Sequence, residues 1–297
     1  MIELQLGELA AVGTALLWTL SAVAWTAAGR HVGALVVSFV RLLVASVLLG
    51  AHGFLFRGLV LPTDASPEQW RVLGMSGFFG FFLADLLLFK AFLIIGPRLA
   101  LLLYSLTPPF AALGAWIGMQ QPLGGRSWAA MAITLAGVAW VVSERSAAAE
   151  SSSREKQLLG VGLALSAALI QALSSLLAQQ GIGQYDAVAA TFIRVLGGLV
   201  GFLPLILVTR RTAAVVAALR NAQVMRIIAC GAIVGPYLGV VLYLIALRHC
   251  HAGIVTTIVA TMPVLILPFS VLMLRETVTP RAVLGAVLSV IGVGLLV

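Results

Sequence analysis

Charge is the scarcest ingredient of this chain. Only 9% of its 297 residues are Asp, Glu, Lys or Arg, against about 25% in a soluble domain. With 61% hydrophobic residues and a mean hydropathy of +1.11, it holds more apolar surface than a soluble core can hide, which excludes a water-soluble fold. Cysteine is nearly absent. Cys230 and Cys250 stand too far apart for a CxxC or zinc pattern and read as apolar or interfacial filler, so no metal site is expected. The chain lacks a GxxxxGK[ST] phosphate loop, so no nucleotide or other cofactor is expected. It lacks a convergent His, Asp and Ser set. His31, His249 and His251 fall at span ends and His52 has no evident partner, which leaves little for an enzyme. It also lacks a basic stripe with interleaved aromatics. The net charge of +8 reads as interfacial residues on an anionic bilayer, not as nucleic-acid binding. A basic leader is missing too. Glu3 and Glu8 stand where a cleavable signal needs positive charge, and the apolar stretch 9–28 is too long for a signal core, so it reads as the first span.

Long apolar runs are what the chain has instead. A helix needs roughly 20 apolar residues to cross a bilayer. The sequence predicts ten such spans: 7–28, 33–56, 70–95, 98–118, 126–143, 158–180, 187–208, 224–247, 252–273 and 280–297. Two connections are longer and polar, 144–157 ("ERSAAAESSSREKQ") and 209–223, and the first reads as a linker between halves.

The halves repeat. A shift of 153 residues aligns Gly7 with Gly160, Ser21 with Ser174, Phe39 with Phe192 and Arg41 with Arg194. A shift of 155 then aligns Gly80 with Gly235, Ala91 with Ala246, Pro108 with Pro263 and Gly137 with Gly292. Matches of Arg, Pro and Gly at fixed offsets are not cheap by chance. Five spans per copy is an odd number, so the second copy must enter the membrane from the other side. The expected fold is an all-α integral membrane protein of ten transmembrane helices in two inverted five-helix repeats. The expected parts are 1–143, the linker 144–157 and 158–297.

Residues 263–296, "PVLILPFSVLMLRETVTPRAVLGAVLSVIGVGLL", carry Pro263, Glu276, Gly285 and Gly292 in an order that resembles the closing motif of EamA-type permeases, ten-helix members of the drug/metabolite transporter superfamily. The first half carries a degraded copy that keeps Pro108 and Gly137 but has Gln121 and Ala130 in place of the glutamate and first glycine. "RLLVA" after Phe39 is similar to that family's second-helix phrase. The resemblance covers the whole chain. It implies a secondary carrier with a central cavity between the halves, cytoplasmic termini and no fixed substrate class, since members move amino acids, nucleotide sugars, other metabolites or drugs.

Spacings of three, four and seven residues put side chains on one helix face. Gln171, Ser174, Ser175 and Gln179 share such a face in the sixth span, as do Trp18, Ser21 and Trp25 in the first. The 153 shift maps Trp18 on Gln171 and Ser21 on Ser174. Polar faces in lipid point inward, so these are candidate cavity walls; helix packing through Ser and Thr is the plainer alternative. Pro108 and Pro263 predict kinks that free carbonyls for nearby hydroxyls or a ligand. Tyr104 and Thr107 beside the first kink, and Tyr237 in the eighth span, join the cavity candidates.

Charge inside a span costs at least ~2.5–3.5 kcal/mol, so Arg41, Arg194 and Asp85 need reasons. Asp85 sits near mid-span and its counterpart is Val240, so the fold does not demand it. It is the candidate for proton coupling or for binding a substrate amine, unless it only neutralises an arginine. At ~1.5 Å per residue Arg41 lies ~12 Å and Asp85 ~15 Å from the same face, so the two can pair. Inversion places Arg41 toward one face and Arg194 toward the other, as separate gate elements or anchors.

The leading expectation is a secondary exporter of small polar or amphipathic metabolites, amino acids among them, working by alternating access. A channel-like facilitator and a membrane-embedded enzyme on lipid-linked substrates are the alternatives. The expected partners are a small-molecule substrate, membrane lipids and protons, with a monomer or homodimer in the cell membrane. Orientation is contested. With a cytoplasmic N-terminus the cytoplasmic connections hold Arg57, Arg71, Arg126 and Arg248 against eleven outer Lys and Arg residues. The positive-inside rule favours the reverse.

Overall fold

The computed structural model describes residues 2–119, 124–142, 154–250, 255, 258–272 and 279–295. Every regular element among them is helical. The first half forms α1 (Ile2–Val32), α2 (Ala34–Arg57), α3 (Pro67–Gly77), a π-helical segment (Phe78–Ala84), α4 (Asp85–Tyr104), α5 (Thr107–Met119) and α6 (Gly125–Val142). The second forms α7 (Arg154–Ile182), α8 (Ala187–Val208), α9 (Thr212–Arg220), α10 (Ala222–Ala232), a second π segment (Ile233–Gly239), α11 (Val240–His249), α12 (Met262–Leu265), α13 (Leu267–Leu272) and α14 (Pro280–Gly294).

Among the described residues, six helical stretches are long and apolar enough to cross a membrane: Leu6–Val32, Ala34–Arg57, Pro67–Tyr104, Arg154–Ile182, Ala187–Val208 and Ala222–His249. Large apolar side chains such as Leu55, Phe56, Val47, Val200 and Val208 stay exposed on the outside of the bundle, as lipid contact requires. Inside the helices, Thr14, Thr19, Thr26 and Thr191 donate to the carbonyl one turn back, so their hydroxyls are satisfied without water.

Local sequence explains the breaks. The expected third and fourth spans are continuous in hydrogen bonding through Tyr104, with a sharp break at Gly96 (φ 77°, ψ 156°), a conformation that suits glycine and precedes Pro97. Pro108 and Pro109 cannot donate to the carbonyls four residues earlier. The helix accordingly turns at Ser105 and Leu106, and the Thr107 hydroxyl takes up the freed Tyr104 carbonyl at 2.7 Å. A second turn falls at Ala260 and Thr261, 155 residues on. Two expectations change. Residues 212–220 of the supposed loop 209–223 form α9, and residues 154–157 of the supposed linker begin α7; its stretch 144–153 lies outside the described residues, as do Gln121 and Glu276.

Packing runs between the halves. α1 lies on α10, the second π segment and α11, while α7 lies on α3, the first π segment and α4. Glycines mark both crossings, and the contacts are exchanged. A Cβ on Gly7 would meet His249 and Cys250, and one on Gly160 would meet Ile94 and Ile95. One on Gly80 would meet Ser174, and one on Gly235 would meet Ser21. The two π segments are themselves 155 residues apart, residue for residue.

Candidate functional site

The crossing of these helices leaves an open cavity between the halves, about 580 Å³ with its mouth included, lined in part by Trp18, Ser21, Trp25, Arg41, Phe81, Asp85, Phe89, Tyr104, Gln171 and Arg194. A second cavity of about 380 Å³ shares Trp18, Tyr104, Gln171 and Met262 with it and adds Ser105, Thr107, Pro108, Ser175 and Tyr243. The broken fourth span thus presents its turn, and the hydroxyls around it, to the cavity. Of the expected wall residues, three lie elsewhere. Ser174 is fully buried and exchanges hydrogen bonds with Ser76: its hydroxyl donates to the Ser76 carbonyl at 2.8 Å, and the Ser76 hydroxyl donates to the Ser174 carbonyl at 2.7 Å. Gln179 is half-buried and outside both walls. Tyr237 faces His52, with its hydroxyl 2.7 Å from Nδ1, so His52 does have a partner. Pro263 occupies the first turn of α12.

Both arginines point inward. Arg41 on α2 is 3% exposed and makes an ion pair with Asp85, the first residue of α4. Its guanidinium also lies over the rings of Phe89 at 5.0 Å, Trp25 at 5.5 Å and Phe81 at 5.8 Å. Arg194 on α8 is 2% exposed and also lies over Phe81, at 5.1 Å. The two arginines, expected toward opposite faces, meet around one ring in one cavity. If the halves are inverted, positions ~12 Å into each helix, counted from opposite faces of a hydrocarbon layer ~30 Å thick, would differ by only ~6 Å, within reach of an arginine side chain.

Phe81 was not legible as a site residue, nor was Met262, because apolar residues in an apolar helix carry no signal of their own. The glycines were a better clue. Gly231, Gly235 and Gly239 recur every fourth residue, the small-residue spacing that lets membrane helices approach closely, and Trp25, Ser21 and Trp18 pack on them in turn.

The family model for EamA-like transporters matches residues 5–143 and again 158–297, nearly the whole chain in two copies. The chain belongs to the EamA-like transporter family. It is a multi-pass membrane protein, and members of this family are transporters, not enzymes. No curated protein sequence matches it. A crystal structure superposes on it with a TM-score of 0.66, covering 97% of this chain and 95% of that one at 17% identity, a likeness of fold alone.

At helix ends, one cluster joins the halves. Arg57 at the end of α2 pairs with Asp64 and lies 3.7 Å from Asp186. The Tyr185 hydroxyl donates to Asp64 at 2.9 Å, and Arg248 donates to the Tyr185 carbonyl. Burial pushes the Asp64 carboxyl up, but hydrogen bonds from Tyr185 and its own backbone and the Arg57 charge outweigh it and hold the group below its ordinary range. Burial and the hydrogen bond to Asp64 push the Tyr185 phenol up, so it stays a donor.

Proposed function

We propose that this EamA-like transporter is a secondary active exporter of small polar or amphipathic metabolites, amino acids or related compounds among them, and works by alternating access. One observation carries the reading: the cavity is walled by elements of both halves, α1, α2 and α4 from one and α7, α8 and the second π segment from the other. A rocking of one half against the other would expose it to each side in turn. Two inverted five-helix repeats of ten spans are supported by the exchanged glycine contacts, by turns and π segments that recur at the 155 offset, and by the Arg57 cluster. The latter brings together the connections after the second, sixth and eighth predicted spans, which strict alternation puts on one face.

Asp85 is the coupling group in this reading, with protons as the coupling ion and Arg41 as the partner a proton would displace. The test of the carrier is counterflow in proteoliposomes. A preloaded solute should drive saturable uptake of its labelled form against its gradient. Uptake that rises linearly with concentration and shows no counterflow would establish the channel-like alternative instead. Inside-out vesicles report direction, and net uptake into them is the expected result.

A further inference from the structure

We infer that the solute carries a monoanionic group, a carboxylate seated on Arg194, and an aromatic or apolar body held by Trp18, Trp25, Phe81 and Phe89. This rests on the carrier reading and adds the substrate class to it.

Among the described residues, three formally charged side chains line the cavity, Arg41, Asp85 and Arg194. Arg41 and Asp85 are paired and cancel. Arg194 is left as the surplus charge. Its Nη2 has one long hydrogen bond, 3.4 Å to the Ser174 hydroxyl. Its Nε and Nη1 are buried without a partner among the described residues. Unmatched buried donors are rare in folded proteins, and each one on a charged group in a membrane is costly. Phe81 offers a ring face to the cation, which offsets part of that cost but supplies no acceptor in the guanidinium plane.

The backbone that carries Arg194 is closely packed. The Arg194 carbonyl packs directly on Gly77, where a Cβ would overlap it, and α7 is pinned to α3 by the paired Ser76 and Ser174 bonds. The side chain is held over the cavity with donors unmade. A carboxylate matches a guanidinium in charge, planarity and number of acceptors. An amine on Asp85 would have to displace Arg41 and face Arg194 as well. The aromatic walls of the cavity, Trp18, Trp25, Phe81 and Phe89, suit an apolar body.

The test uses the purified full chain and four probes that share a phenyl body: phenylacetate, phenylacetamide, phenethylamine and phenyl phosphate. Phenylacetate should raise the unfolding temperature in a saturable way, and the amide and amine should not. Arg194→Gln should weaken phenylacetate binding about tenfold or more, the usual effect of losing a charged hydrogen bond, and Arg194→Lys should retain part of it. The inference is overturned by any of four results: no stabilisation by phenylacetate, equal stabilisation by amide or amine, preference for the dianionic phosphate, or unchanged binding by Arg194→Gln. Where Arg194→Gln does not fold, Arg194→Lys decides, since equal binding of acid and amine by it also overturns the site. Counterflow separates this from the carrier reading. Phenylacetate bound through Arg194 without counterflow of any probe removes the carrier and keeps the site. Counterflow of phenethylamine but not of phenylacetate does the opposite.

Discussion

Arg41 and Asp85 hold each other in a largely buried pair, and that makes the pair asymmetric under mutation. Breaking a buried pair from one side costs about 3–5 kcal/mol, whereas replacing both members by apolar residues can be neutral. Asp85→Asn leaves the guanidinium with its three aromatic faces, which soften but do not remove the loss. We expect Asp85→Asn to lower stability by about 3 kcal/mol and Arg41→Met with Asp85→Leu to recover most of it, read from melting of the purified variants. Both should lose proton-driven uptake, and Asp85→Asn should keep counterflow. Undiminished gradient-driven uptake by Asp85→Asn would remove the coupling role. The pairing was legible because depth along two antiparallel spans is fixed by residue count. The convergence of Arg194 on the same ring was not, because it depends on how helices from the two halves cross. Ser174 shows the same limit: helical spacing put it on the right face, but only packing decides whether a face meets a cavity or a neighbouring backbone.

Helices here are interrupted where the cavity needs backbone or close approach. The π segments end one residue before Asp85 and one before its counterpart Val240, so each adds a widened turn that re-aims the helix above the cavity. α3 offers an internal comparison. A Cβ on Gly77 would run into the backbone of Arg194, while one on Gly74, a turn earlier, meets nothing within 4 Å. Gly77→Ala should therefore separate α3 from α8 and cost about 1–3 kcal/mol, the range for overpacking. Gly74→Ala should be neutral or stabilise by up to about 1 kcal/mol, since alanine is the better helix former. Comparable melting temperatures for the two variants would contradict the close approach. Of the elements, the proline breaks were readable from residue chemistry, and the π segments were not, because an inserted residue leaves the apolar pattern of an all-apolar helix unchanged.

At the scale of the whole molecule, alternating access requires that contacts closing one end be weaker than those holding each half together. The Arg57, Asp64, Tyr185, Asp186 and Arg248 cluster fits that condition. Its ion pairs are substantially exposed, so each contributes ~0.2–1 kcal/mol, and the Tyr185 hydrogen bond adds ~1 kcal/mol. In the proposed mechanism a latch of that strength would favour closure by roughly ten- to a hundredfold and still open readily. Leu49 lies fully buried in a small cavity that Arg57 also lines, which gives a reporter. In a chain with Cys230→Ala and Cys250→Ala, Leu49→Cys should react slowly with a membrane-impermeant maleimide applied at this face. Adding Asp64→Asn should speed labelling by roughly three- to tenfold. The sign with pH follows from the lowered Asp64 carboxyl. A depressed group stabilises the closed form above the ordinary carboxylate range and loses that effect only as pH falls through its folded value. Latch strength should therefore not change between pH 8 and pH 5 (about the range in which an ordinary carboxylate stays ionised), once labelling is corrected for thiol ionisation. Corrected rates that climb across that interval, or an Asp64→Asn variant that labels no faster, would show that this end is closed by something other than the Asp64 carboxylate.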